Sequence, residues 1–111
     1  MLTPMMDVKV FNLGTRWAGR VASMLLADQG AEVIEIIRPG PAAHACDSLL
    51  GRGKQLIEAD LTDLAVREDV VSLAGSADIV IENMRPGAAD RLGVGHAQLA
   101  RLNAQMVYVS L

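Results

Sequence analysis

Apolar and polar positions along the chain fall into short blocks that predict alternating strands and helices. The first block, 8–13, is a short apolar run that ends at Gly14, and the residues after it are apolar at helical spacing. Gly30 follows where a helix would end with a positive φ angle, and 31–38 form a second, near-continuous apolar run. This order predicts a β–α–β unit with parallel strands and a right-handed crossover, with Thr15 as the helix cap. The apolar residues of the predicted helix are Trp17, Ala18, Val21, Ala22, Leu25 and Leu26.

The remainder of the chain continues the alternation after one irregular segment. Residues 39–53 contain two Pro and three Gly and predict a long loop, of the kind that is usually functional or mobile in a compact domain. The helix predicted over 61–75 begins with Thr62 or Asp63 as its cap. The order predicts a single-domain α/β fold over residues 1–111, doubly wound, with a mostly parallel sheet in three α/β/α layers. Further strands are predicted over 55–60, 77–83 and 106–111, and further helices over 88–92 and 96–102.

Composition narrows the class of protein. Hydrophobic residues make up 51% of the chain, which excludes a disordered protein, and aromatic residues only 3%, so the core must be aliphatic. A net charge of −3 predicts no affinity for nucleic acid or an anionic membrane, and any anion site must be local. Cys46 is the single cysteine, and neither His44 nor His96 lies in a metal-binding pattern, so we expect no metal. No apolar run reaches the length of a membrane span or signal segment, which favours a cytoplasmic protein.

The turn between the first strand and the first helix is the first candidate site. Free N–H groups and a partial positive charge at a helix amino end suit an anion. Gly14 and Gly19 have the spacing of the two P-loop glycines, but Arg20 and Val21 stand where that motif needs Lys and Ser or Thr. A dinucleotide G-x-G-x-x-G fingerprint is not present either. The alternative is a turn glycine followed by a helix glycine that permits close packing.

Cations at the ends of the predicted strands form the second candidate. Arg38 ends the second strand, where dinucleotide folds recognise a ribose hydroxyl or phosphate, and its guanidinium matches phosphate oxygens. Lys54 follows the glycine-rich loop, and Arg91 lies shortly beyond Asn83 and Met84 at the end of a later strand. The three cations are expected to converge on one rim of the sheet. The alternative for each is a solvated surface cation.

Four strings, in this order, give the chain a recognisable pattern. They are FNLGTRWAGRVASMLLADQGAEVIEIIRPG, GRGKQLIEADL, ADIVIENMRPGAADRLGVG and LNAQMVYVSL. Together they resemble the N-terminal part of the family III CoA-transferases, the CaiB/BaiF family, which includes formyl-CoA transferase and α-methylacyl-CoA racemase. The strings cover nearly the whole chain, and their combination is more specific than any one of them.

The resemblance implies a Rossmann-like domain that binds coenzyme A for CoA transfer between acyl-CoA thioesters and carboxylic acids. It also implies a homodimer, or a segment that needs the remainder of a longer chain. In the family, the first turn, the Arg after the second strand, the Lys of the glycine-rich loop and the E-N-[FM]-R-P-G segment contact CoA. The residues that carry this over are Arg16, Ala18, Arg38, Lys54, Asn83, Met84 and Arg91.

The resemblance leaves the catalytic residue unassigned. Family transferases use an Asp nucleophile, and covalent catalysis by a carboxylate is well founded, but that Asp lies beyond the matching strings. The chain also departs from the family pattern: Arg20 replaces a usual Pro, and Glu35 and Ile37 replace a common Lys and Glu. A fragment and a natural truncation both fit. Two alternatives stay open: a racemase-like enzyme, and a non-catalytic module that binds NADP or CoA or dimerises.

Overall fold

The structure, a computed structural model, describes residues 4–14, 16–41 and 43–111. Five strands form one sheet in the order β3-β2-β1-β4-β5, and all four described strand pairings are parallel. This confirms the predicted α/β fold with a parallel sheet. The elements are β1 Lys9–Asn12, α1 Trp17–Asp28, β2 Glu32–Ile37, α2 Asp47–Leu50, β3 Lys54–Glu58, α3 Leu64–Gly75, β4 Ile79–Glu82, α4 Ala88–Arg91, α5 His96–Ala100 and β5 Val107–Ser110.

Helices cover both faces of the sheet. Successive strand residues point to opposite sides, so neighbouring side chains are buried in different clusters. Phe11 belongs to a core cluster that includes Val70 of α3 and Leu99 of α5. Its neighbour Val10 belongs to a second cluster, against which Leu26 of α1 packs. The two clusters are the cores of a three-layer arrangement.

The helix ends follow from local sequence. Gly30 adopts the predicted positive φ angle of 100°. Its N–H donates to the Ala27 carbonyl, and the Ala31 N–H donates to Leu26, the paired bonds of a Schellman motif. Asp63, and not Thr62, caps α3, since its carboxylate accepts from two backbone N–H groups in the first turn. Arg16 occupies the N-cap position of α1 without a side-chain cap, and Thr15 lies outside the described residues.

Two expectations from the pattern need correction. The segment 39–53 contains the one-turn helix α2, which the Pro and Gly content concealed. Trp17, Ala18 and Leu25 are exposed on α1, although apolar residues at helical spacing usually form a buried face. The residues that α1 buries are instead Gly19, Arg20, Ser23 and Met24. No helix in the described part of the chain has the length and apolar character needed to span a membrane.

Candidate functional site

The carboxyl ends of the parallel strands share one edge of the sheet, and an apolar cavity opens there beside β2. It has a volume of about 430 Å³ and lies between the β1–α1 turn, the end of β2 and the residues that follow it. Trp17 and Ile36 contribute apolar surface, and Arg38 contributes a cation. Such an edge is where open α/β sheets bind ligands. We call this space the β2 cavity.

A second cleft of about 380 Å³ lies beside the β2 cavity and shares three of its residues. Ile36, Arg38 and Pro39 line both spaces, so that Arg38 stands between them. Thr62 and Met84 line the second cleft and not the β2 cavity. The arrangement offers an elongated ligand two compartments with a cation at their boundary.

The residues predicted for the first turn and for the edge lie close to the carboxyl ends of β1, β2 and β4. Arg16 and Ala18 are exposed at the start of α1, and Arg38 is exposed after β2. Arg91 is exposed on α4, directly before Leu92, which lines the second cleft. Met84 is half-buried in that same cleft.

Asn83 lies deeper, against the β1–α1 turn. Its side chain is buried, and its Oδ1 atom has no hydrogen-bond partner among the described residues. A Cβ atom on Gly14 would come within 2.4 Å of this oxygen, and one on Gly19 within 3.3 Å. Glycine is therefore required at Gly14 for the turn to approach Asn83. A buried amide without a partner is costly to a fold, which makes it a candidate ligand contact.

Lys54 differs from the other predicted cations, because its side chain is fully buried. Its Nζ donates to Glu35 over 2.8 Å and to the Arg20 carbonyl over 2.9 Å. Burial lowers the pKa of the ammonium, and the bond to Glu35 opposes that shift. The structure thus places Arg38 at the edge and the Lys54 ammonium in the interior, and the contact of Lys54 with a ligand stays a prediction.

Sequence reasoning missed a buried polar network under the β2 cavity. Glu35 is 1% exposed and accepts from Arg20 Nε over 2.9 Å, from Lys54 over 2.8 Å and from Asn12 over 2.6 Å. Ser23 joins the network through Asn12. The only sequence signal was that Arg20 and Glu35 both depart from the family pattern, the first as a cation and the second as an anion. The fold brings these two residues into contact.

The network continues into the segment that lines the cavity. Arg20 Nη1 donates to the Ala45 carbonyl over 3.0 Å, and Nη2 donates to Asp47 over 2.7 Å. The imidazole of His44 lies 2.5 Å from Asp47 and 2.5 Å from Glu58. The bonds to Asp47 and Glu58 raise the pKa of His44, whereas the bond from Arg20 lowers that of Asp47. Burial acts to lower the pKa of Arg20, but its bonds to Asp47 and Glu35 outweigh burial and raise it.

Among the residues that the structure describes, no three His, Cys, Asp or Glu side chains are grouped so that they could hold a metal ion. Cys46 is a free, exposed thiol at the cavity wall.

Comparison with known proteins decides the family. The sequence model of CoA-transferase family III matches residues 5–111. The chain belongs to CoA-transferase family III. It is 34% identical over 110 residues to the CoA-transferase/lyase DddD of Marinomonas, covering 97% of this chain and 13% of that protein. It is 32% identical over 121 residues to the succinyl-CoA:mesaconate CoA-transferase of Haloarcula hispanica, covering 95% of this chain and 31% of that protein.

Solved structures support the same family membership. The crystal structure of a CaiB/BaiF family protein from Brucella suis superposes with a TM-score of 0.88 at 32% identity, over 99% of this chain and 33% of that one. This family III chain therefore spans a third or less of the length of these relatives. A short-chain dehydrogenase/reductase from Serratia marcescens has a TM-score of 0.57 at 22% identity, which reflects the shared fold alone.

Proposed function

We propose that this chain is the coenzyme A-binding part of a family III CoA-transferase, which moves CoA between an acyl-CoA thioester and a carboxylic acid. Membership of the family supports the reaction class. The observation that carries the binding role is the β2 cavity, an apolar space at the carboxyl edge with Arg38 at its boundary with a second cleft. CoA combines anionic phosphates with a long, weakly polar arm, and the two compartments suit those two parts.

The residues present fit such a ligand. The planar fork of Arg38 pairs with phosphate oxygens, and the exposed first turn of α1, with Arg16 and Ala18, offers further donors and positive potential. The buried Asn83 oxygen, which has no partner among the described residues, accepts from a ligand N–H or O–H. Met84 and Arg91 extend the contact surface along the second cleft. Lys54 acts indirectly, because its ammonium holds Glu35, and Glu35 bonds to Arg20 in the lining of the β2 cavity.

The chemical step of the proposed reaction needs a nucleophilic carboxylate. Its oxygen attacks the thioester carbonyl, and the C–S bond breaks, which leaves a mixed anhydride and the CoA thiolate. The thiolate attacks the enzyme carbonyl of this anhydride, so that an enzyme–CoA thioester forms and the donor carboxylate leaves. The acceptor carboxylate then attacks the enzyme–CoA thioester and displaces the thiolate, and the thiolate attacks the acceptor carbonyl of the new anhydride to form the new acyl-CoA and return the enzyme carboxylate. We assign no residue of these 111 to that role and place the nucleophile beyond the matched strings. The proposal includes a homodimer, which the family resemblance implies, and a cytoplasmic location, which the single, free Cys46 thiol favours.

Calorimetric titration of the chain with CoA tests the binding role. We expect CoA to bind, and Arg38→Gln to weaken binding by about tenfold or more, because a charge-assisted bond to phosphate contributes roughly 1.5–3 kcal/mol. Arg101→Gln is the matched control, since Arg101 is an exposed arginine that lines neither the β2 cavity nor the second cleft. Equal affinity of wild type and Arg38→Gln would contradict the assignment of the cavity. Tighter binding of NADPH than of CoA would favour a nucleotide-binding module instead.

A further inference from the structure

The segment from Ala43 to Leu50 forms one wall of the β2 cavity and has little regular structure to hold it. Ala43, Ala45, Cys46 and Leu50 line the cavity. Apart from the single turn of α2, the backbone hydrogen bonds of the segment connect near neighbours, and Cys46 adopts a positive φ angle of 64°. The position of this wall must therefore come from contacts with the rest of the domain.

Three side-chain hydrogen bonds tie the segment to the rest of the described chain, in addition to the buried side chain of Leu50. Two of them are donated by one residue, Arg20, to the Ala45 carbonyl and to the Asp47 carboxylate. The third joins His44 to Glu58 at the end of β3, and it is exposed. Exposed pairs hold weakly because water competes for both partners, so the bonds from Arg20 are the stronger polar contacts of the segment.

Arg20 is itself fixed from below. It is 8% exposed on the inner face of α1, and its Nε bonds to Glu35. Glu35 in turn is held by Lys54 and by Asn12 on the neighbouring strand. The wall is thus connected through one guanidinium to the middle of the sheet.

We propose that Arg20 is a positioning residue, whose guanidinium fixes the segment 43–50 as a wall of the coenzyme A cavity. This inference rests on the proposed function for the identity of the ligand. Positioning of the segment in this way requires an arginine, because three donors on one planar group reach Glu35, Asp47 and the Ala45 carbonyl at once. A lysine carries the charge but has a single nitrogen, and it cannot span the three acceptors.

Hydrogen exchange followed by mass spectrometry tests the positioning role without ligand. In Asp47→Asn and in Arg20→Lys, we expect peptides that cover 43–50 to exchange several-fold faster, while peptides from α3 stay as in the wild type. Asp28→Asn is the matched control, because it removes an equally direct carboxylate–arginine pair, with Arg52, outside the cavity. A general loss of stability would accelerate exchange in α3 as well, and this separates a positioning role from a merely structural one.

Titration with CoA on the same proteins tests the consequence for binding. We expect Asp47→Asn and Arg20→Lys to bind CoA about tenfold more weakly, and Asp28→Asn to bind it like the wild type. Unchanged exchange in 43–50 in both variants, or unchanged CoA affinity in variants whose segment has loosened, would overturn the inference. If the wild type binds no CoA although Asp47→Asn loosens the segment, the proposed function fails while the positioning of the segment by Arg20 stands.

Discussion

Four buried or half-buried charged side chains form one network beside the cavity, and their charges balance. Arg20 and Lys54 supply two positive charges, and Glu35 and Asp47 supply two negative ones. A buried pair of this kind adds little net stability, because desolvation offsets the attraction, but removal of one partner leaves a buried charge uncompensated. The carboxylate of Glu35 is the centre of the group, since it contacts both cations.

Glu35→Gln is therefore expected to destabilise the protein by roughly 3–5 kcal/mol, the usual cost of breaking a buried ion pair. The free energy of unfolding in urea measures it. Glu32→Gln on the same strand is the control: Glu32 is exposed, so its loss is expected to leave stability within about 0.5 kcal/mol. If the free energies of unfolding of the two variants differed by less than about 1 kcal/mol, the network would contribute little to stability.

Helix α1 is the element whose sequence pattern and structure differ most. Trp17 and Leu25 are among the apolar residues at helical spacing, but the structure exposes them by 63% and 54% and buries Arg20 and Ser23 instead. Hydrophobic spacing assumes that a charged residue faces water. That assumption fails here because Glu35, fifteen residues further on, neutralises Arg20, and no pattern local to the helix contains that information.

The cap of α3 gives an element-scale test. Asp63→Ala is expected to destabilise the protein by about 1 kcal/mol, because the carboxylate accepts from the N–H groups of Ala65 and Val66. Thr62→Ala, at the other residue that the sequence allowed as the cap, is expected to have a smaller effect, since the Thr62 hydroxyl bonds to the exposed carboxylate of Asp60. Thermal unfolding of the two variants compares the positions, and a larger loss in Thr62→Ala would contradict the assigned cap.

At the scale of the whole molecule, the fold was predictable because its signals are local. Apolar strands, the Gly30 helix end and the crossover rule are each read from a few adjacent residues, and together they specify the parallel sheet. The site was predictable only in part. Arg38 and Met84 follow strands whose ends meet by topology, whereas the interior pairing of Lys54 depends on which side of β3 it faces and on an anion from β2.

Shifted pKa values predict the pH dependence of overall stability. The raised pKa of His44 means that its contribution is fully present below the ordinary value of 6.5 and is lost as pH rises through the folded pKa. The lowered pKa values of Asp28, Asp47 and Asp60 mean that their contributions are present above 3.8 and are lost as pH falls. Stability is therefore expected to be greatest between about pH 4 and 6.5.

The urea concentration at the midpoint of unfolding, measured from pH 3 to pH 9, tests this predicted pH dependence of stability. His44→Gln is the control, and it is expected to flatten the decline above pH 6.5 while leaving the acid limb in place. A wild-type profile that rises steadily from pH 5 to pH 9 would show that the bonds of His44 to Asp47 and Glu58 do not persist in solution.

The exposed indole on the wall of the β2 cavity has a practical consequence. Trp17 is the single tryptophan of the chain, so the emission excited at 295 nm comes from one known place. A ligand that enters the cavity replaces water around that ring, and a purine that reaches it quenches the emission by stacking. The protein thus carries an intrinsic optical reporter at its candidate site, and occupancy can be followed in dilute solution without any label.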